Sequence, residues 1–343
     1  MSWKGRKVLV TGGCSFIGSH LVDGLIQRGA SVRIVDDLSS GAVENIQEHL
    51  RAKRVEFIQA DLREQSVALA AVSGMQVVFH LAAAHGGRGY VDLHQAACAE
   101  NFMLDGLVFQ ACRKHRVEKI VYASSGCVYP NYIQNDPDKI LYLTEDKVGP
   151  PYDSDNLYGW AKLMAEMSLR AMAKEEGFKT ASCRYFTVYG PRGVENHAVI
   201  AMIARAFVKQ NPFVVWGTGK QIRNWTYVSD IVEGTIRAAE KIHDGSAVNL
   251  GTMERVSVLE AVQEVLRYTK HQAELEFHPE MPTGPYNRVA DNQLAKKLLG
   301  WEPKVLFKEG LHKTIDWYFS TKDPSRFKKH SLDEMLTERG VHS

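Results

Sequence analysis

The 343-residue chain has 45% hydrophobic and 24% charged residues, and its 42 Lys and Arg against 40 Asp and Glu give a formal charge of +2. These are the proportions of an ordinary globular protein, which excludes a disordered or low-complexity chain. No long run of one sign marks a nucleic-acid or acidic-membrane partner, and five scattered cysteines without a C-x-x-C pair fit a reducing cytoplasm.

The N-terminus runs straight into a strand pattern with no signal-peptide core, and no window approaches eighteen uninterrupted apolar residues, so the expectation is a chain that neither enters that secretory route nor spans a membrane. From Lys7 to Ser125, short β-branched runs (KVLVT, SVRIVD, RVEFIQ, QVVFHLA, KIVYASS) alternate with amphipathic segments. This is the rhythm of βαβ units in a Rossmann-type, doubly wound parallel α/β sheet. Helices are expected over His20 to Arg28, Ser66 to Val72, Leu93 to Lys114 and Leu157 to Glu176, and a further strand over Thr180 to Tyr185. Gly190-Pro191-Arg192-Gly193 then breaks the pattern.

That loop divides an expected dinucleotide-binding domain, 1–190, from a smaller mixed α/β substrate domain, 191–320, some of whose segments return to the first. Within the second domain the pattern predicts helices at Ala198 to Val208 and Ser229 to Ile242, and strands at VVWG and VNLG. Residues 321–343 read as a polar tail, a surface helix or a loose end.

Strand KVLV leads into Thr11-Gly12-Gly13-Cys14-Ser15-Phe16-Ile17-Gly18 and directly into a helix. Glycines there let backbone amides approach a pyrophosphate at a helix N-terminus, where the dipole favours negative charge. Ser15 stands where the middle glycine is usual; its Cβ narrows the approach, and its hydroxyl is a possible phosphate donor. Asp36 ends the second strand, where a carboxylate accepts from both ribose hydroxyls. No arginine follows it immediately, so NAD is expected over NADP. Asp61 after the third strand has two readings, an acceptor for the adenine amino group or a helix cap.

Tyr158 and Lys162 stand four apart on a predicted helix and project from one face. An ammonium below a phenol lowers its pKa and, with the positive nicotinamide, makes the phenol a workable base for a sugar hydroxyl. Y-x-x-x-K alone is weak, but here it follows a glycine loop, Asp36 and the strand end Ser124-Ser125 in order.

With Thr11 to Gly18, His80-Leu81-Ala82-Ala83, Asn101, Tyr122 to Pro130, Tyr158 with Lys162, Tyr189-Gly190-Pro191, Gly217 to Asp230 and Leu299 to Pro303, the chain resembles the extended short-chain dehydrogenase/reductase family of nucleotide-sugar epimerases and dehydratases. The resemblance implies Ser125 as partner of Tyr158 and Lys162. It places NAD against Gly12, Ser15, Phe16, Ile17, Gly18, Asp36, Asp61, Leu62, Leu81, Ala82, Ala83 and Asn101, besides Tyr158 and Lys162. Asn101 would support the lysine-bearing helix through water, and Arg223 and Arg288 would hold a sugar-nucleotide diphosphate by paired hydrogen bonds. Thr187 stands where the family usually has asparagine near the phosphates.

Ser125-Gly126-Cys127 replaces the Thr-Asp-Glu run of the dehydratases, which disfavours dehydration. Cys127, Gly86-Gly87 and a basic residue after the Tyr-Gly-Pro loop are similar to the GDP-mannose 3,5-epimerase and GDP-fucose synthase branches; the basic residue is His197, which aligns with the histidine of the synthases. A thiol and an imidazole are suited to removing and returning protons beside a 4-ketone. His85, Gly87 and Arg88 lie in a loop at the same sheet edge, where they would meet the sugar. No metal-ligand spacing is present. The leading expectation is an NAD-dependent epimerase inverting C3, C5 or both through Cys127 and His197, with a homodimer implied by the family likeness; the alternatives are a C4 epimerase of the UDP-glucose type, a reductase, which Asp36 disfavours, and a non-catalytic NAD-binding regulator.

Overall fold

Branched residues restricted at Cβ favour extended backbone, and the computed structural model, which describes residues 2–136 and 138–323 together with Ser325, Leu332, Thr337 and Glu338, gathers seven such runs into one sheet. In chain order the main elements are β1 (Lys7–Thr11), α1 (Phe16–Gln27), β2 (Ser31–Asp36), β3 (Val55–Gln59), α2 (Gln65–Val72), β4 (Val77–His80), α3 (Asn101–Lys114), β5 (Lys119–Ser125), α4 (Asn156–Glu176) and β6 (Lys179–Tyr185). Then follow α5 (Ala198–Phe207), β7 (Phe213–Trp216), α6 (Val228–Lys241), β8 (Asp244–Leu250), α7 (Val258–Thr269), β9 (Leu275–His278) and α8 (Phe307–Thr321).

The large sheet runs β8-β6-β5-β4-β1-β2-β3, and every neighbouring pair is parallel. Strand order reverses between β1 and β4. Chain connections leave these two strands in opposite directions, which opens a crevice at their carboxyl ends. One face is covered by α1 and α6, whose Leu21, Val22, Leu25, Ile231, Val232 and Ile236 share a core with Trp301. On the other face Leu104, Val108, Ala165 and Leu169 of α3 and α4 pack with Ala68 and Val72 of α2. A second lobe has its own core, in which Ile203, Phe213, Trp225, Val262 and Leu311 meet.

The loop at 190–193 leads into that second lobe, but the chain comes back: α6 lies on the first sheet and β8 forms its edge beside β6. The path leaves the large sheet after Tyr185, and the strand at Val188–Tyr189 pairs instead with Thr226–Tyr227.

The single helix expected from Leu93 to Lys114 is broken into Arg88–Leu93, Gln95–Ala99 and α3. His94 sits at φ −117°, ψ 52°, outside the helical region. Gln95 explains the break, because its amide donates to Val91 O at 2.6 Å while its carbonyl accepts from Leu157 N at 2.9 Å, tying the turn to the start of α4. Most of the expected tail, 321–343, lies outside the described residues; α8 ends at Thr321, and Leu332 packs against the second-lobe core. Among the described residues no helix is long and apolar enough to cross a membrane, and no cluster of three His, Cys, Asp or Glu suits a metal ion.

Candidate active site

The crevice holds two adjoining cavities of about 350 and 360 Å³ that share Ser15, Leu81, Ala83 and His85 in their walls. The first-strand residue Thr11 fixes their junction. Its Oγ1 accepts from the amides of Leu81 and Ala82 at 3.0 and 3.1 Å and pairs with His80 Nδ1 at 2.7 Å. Gly12 adopts φ +68°, and a Cβ there would stand 3.0 Å from Ala82 N, so glycine is required by both conformation and space. Gly18 packs against the Gly12 carbonyl.

Helix first turns leave amides without intrahelical partners, and Ser15, Phe16 and Ile17 border the cavity at the start of α1. The Ser15 hydroxyl differs from the expected phosphate donor: it donates to Gly12 O at 2.6 Å, within the loop's own backbone. Asp36 is buried at the end of β2, where its carboxylate accepts from Cys14 N and Leu38 N, each at 2.9 Å, and borders the second cavity.

Leu62, Leu81, Ala82 and Ala83 line that cavity too. Asp61 follows neither of its two readings cleanly. It borders the cavity but grips Arg63 at 2.9 and 2.6 Å, and Glu64, not Asp61, is the cap residue of α2. Those Arg63 bonds hold its carboxyl below the usual range, against the effect of burial. Asn101 also differs from expectation in its contacts, since its amide brackets the Ala84 backbone, accepting at 2.7 Å and donating at 3.0 Å.

Between the cavities, β5 and α4 bring Ser125, Tyr158 and Lys162 together. One helical turn separates the tyrosine and lysine, and the ammonium stands 5.6 Å from the Tyr158 ring and 4.6 Å from that of Tyr122. Behind them Asp105 accepts from Tyr122 OH at 2.8 Å and pairs with His80 Nε2 at 3.0 Å. Burial pulls the Lys162 ammonium pKa down, and Asp105, Cys127 and Glu166 act against that pull. Burial pushes the Tyr158 phenol well up, with Cys127 adding to it and the Ser125 hydrogen bond opposing it. From the protein alone, burial is the larger effect on this phenol, and the expected lowering joins the ammonium to the positive charge of a bound nicotinamide.

The other wall carries charge. Cys127 follows β5 in a short 3₁₀ turn; its amide donates to Ser125 Oγ at 3.1 Å and its carbonyl accepts from Asp155 N at 2.9 Å. Its Sγ accepts from Arg288 Nη1 at 3.2 Å. Asp155, at the N-terminus of α4, accepts from Arg288 Nη2 at 2.9 Å and from Arg88 Nη1 at 2.7 Å, while Arg88 also holds Asp92. Arg288 Nε donates to Gln134 at 2.9 Å.

Arg223 and Arg288, 65 residues apart in sequence, face each other as partners in adjacent two-residue strands. Arg223 donates to the Thr283 and Ile222 carbonyls at 2.7 and 2.8 Å. Burial, with the neighbouring Arg288 and Arg88 charges, lowers its guanidinium to about 9, against the opposing effect of Asp155. Such a group stays protonated at neutral pH and marks a place where positive charge exceeds its local compensation. Thr187 lines the same cavity, its carbonyl taken by Thr226 N at 3.1 Å.

His197 is the N-cap position immediately before α5 and lines the cavity with Cys127 and Tyr158. Its ring centroid lies 6.0 Å from that of His85. Sequence reasoning missed Asp155, Gln134 and Asp105. A Ser-Asp pair just before the tyrosine helix was a visible cap signal for Asp155, but its use by two distant arginines had none.

A glycine-loop Rossmann crevice joined to a Ser-Tyr-Lys cluster and a cationic second lobe defines an extended short-chain dehydrogenase/reductase. Residues 8–251 match the NAD dependent epimerase/dehydratase family, and the chain belongs to that family of NAD-dependent enzymes acting on nucleotide sugars. It is 31% identical to a GDP-mannose 3,5-epimerase of Arabidopsis thaliana over 91% of this chain and 81% of the relative. Among solved structures it is similar to the UDP-glucose 4-epimerase of Thermotoga maritima with UDP-glucose, at 29% identity and TM-score 0.81, covering 92% of this chain and 99% of that one. The UDP-glucuronic acid 4-epimerase of Bacillus cereus, in complex with UDP-glucuronic acid and NAD, gives 28% identity and TM-score 0.83 over 92% and 100%. The cofactor is NAD, and the Gly12 cradle, the amides opening α1 and the fixed Asp36 carboxylate fit it.

Proposed function

We propose that the protein is an NAD-retaining epimerase of nucleotide-diphosphate sugars that works through a transient 4-keto sugar and inverts C3, C5 or both. The observation that carries this reading is Cys127 Sγ, bonded to the Arg288 guanidinium at 3.2 Å in the cavity that Tyr158 and His197 also line. A cysteine used only for packing sits among apolar side chains; this sulfur faces a cation.

Bound NAD supplies reversible two-electron oxidation at C4. Tyr158 takes the proton of the C4 hydroxyl, Ser125 holds the same oxygen, and Lys162 stabilises the phenolate charge. A ketone at C4 acidifies the hydrogens on C3 and C5. One of Cys127 and His197 removes such a proton, and the other returns one from the opposite face. The surplus charge of Arg88, Arg223 and Arg288 suits a diphosphate, and guanidinium forks match its oxygens. His85, Gly87, Arg88 and Thr187 border the sugar.

A second reading, C4 epimerisation, is favoured by the likeness to the Thermotoga maritima and Bacillus cereus enzymes and needs only Ser125, Tyr158 and Lys162. A non-catalytic NAD-binding role is disfavoured by that intact set. Turnover of UDP-, GDP-, CDP- and dTDP-sugars in deuterated water separates the readings. Deuterium at C3 or C5, lost in Cys127→Ser, supports the first. Inversion of C4 without deuterium at either carbon rejects it in favour of the second.

A further inference from the structure

The loop after β4 carries a second imidazole whose place is built rather than incidental. His85 lies in the walls of both cavities, with its ring 6.0 Å from that of His197 and tilted by 41°. Immediately before it, the Ala84 backbone is bracketed by Asn101. Two residues after it, Gly87 packs so closely on the carbonyl of Asn196 that any side chain at 87 would overlap it, and Asn196 immediately precedes His197. The loops bearing the two imidazoles are thus locked together through their backbones.

Proton balance leaves such a group a task. In the proposed inversion, the base takes a carbon-bound proton while the C–H electron pair passes into the enolate, and the acid then protonates that carbon from the other face. Each event leaves one of Cys127 and His197 a proton richer and the other a proton poorer. After a single inversion the resting state returns through exchange of both groups with solvent.

We propose that His85 is a further proton-transfer residue, accepting a proton from the His197 imidazolium and passing it to water, and running in reverse when His197 must be reloaded. Only N–H and O–H bonds form and break in this step, and charge moves with the proton. The cavity that both line is also bordered by Cys127 from the turn after β5, Tyr158 and Lys162 from α4, Arg88, which is paired with Asp92 and Asp155, and Arg205, Arg223 and Arg288 from the second lobe; Glu195 lies just before Asn196.

This role rests on the C3/C5 epimerase activity proposed above. The test compares the wild type with His85→Gln and His85→Phe in deuterated water, by rapid quench for the first turnover and in steady state, with and without added imidazole. General acid–base groups contribute about 10²–10⁴-fold; a relay with solvent as its substitute falls short of that. In both variants the steady-state rate is expected to drop about tenfold more than the first-turnover rate, and imidazole to restore it. Equal loss in both phases without imidazole rescue, or wild-type rates in both variants, overturns the relay while leaving the epimerase reading intact. Absence of deuterium at C3 and C5 in the wild-type product overturns both.

Discussion

Replacing Asp155 with Asn removes one charge from the centre of the site while keeping its shape. The carboxylate is shared by Arg88 Nη1 at 2.7 Å and Arg288 Nη2 at 2.9 Å. Removing one partner of a buried ion pair costs about 3–5 kcal/mol. Arg88 keeps Asp92, Arg288 keeps Gln134 and the Asn carbonyl still accepts, so we expect about 2 kcal/mol here. With unfolding entropy of about 2.1 cal/mol/K per residue, a 343-residue chain has about 0.7 kcal/mol/K, and the midpoint falls by about 3 °C.

The sign of the pH dependence follows from the same contacts. Burial pushes the Asp155 carboxyl up, but Arg288 and Arg88 together outweigh it and hold it below its ordinary value. A depressed carboxylate stabilises the fold above its unfolded pKa of about 3.9 and loses that contribution as pH falls through the folded value. The difference between wild type and Asp155→Asn is therefore complete at neutral pH and shrinks below about pH 4. Because Arg288 is then held less firmly against Cys127, kcat is expected to fall while KM does not rise, the basic cluster having lost a competing anion. Thermal melts at both pH values and steady-state kinetics measure this. A neutral-pH midpoint within about 1 °C of wild type, or a difference that grows on acidification, refutes the assigned role.

Cofactor released from denatured protein should be NAD, and Asp36→Asn should raise affinity for NADP relative to NAD in fluorescence titrations; an unchanged ratio contradicts the place given to Asp36. Tyr158→Phe should lower kcat by about 10²–10⁴-fold with NAD binding retained. Lys162→Met removes a charge that favours the phenolate, so the rising limb of the pH–rate profile should move to higher pH; a shift downward would count against that role. Exposed Phe102 and Met103 on α3 and Met164 on α4 suit a helical dimer face. Sedimentation at micromolar concentration should find a homodimer, and Met103→Glu with Met164→Glu should yield monomers.

The sequence by itself determined what is local: strands from their branched runs, the glycine turn from a motif joined to a strand and a helix, and Tyr158 beside Lys162 from the helical repeat. Periodicity fixes a face and a spacing, and both survive folding unchanged. It could not determine that β8, formed by residues 244–250, returns beside β6, because an apolar strand pairs with whichever edge the chain brings to it. Nor did the pattern through Leu93 reveal the break at His94, which is made by Gln95 reaching Leu157.

Charge and proton chemistry depended most on the tertiary structure. Arg288 meets Cys127 across 161 residues and Asp155 across 133, and Arg223 meets Arg288 only because two short strands align. Burial likewise raises the Tyr158 phenol, and desolvation depends on what the whole fold places around a phenol, which no spacing of residues encodes.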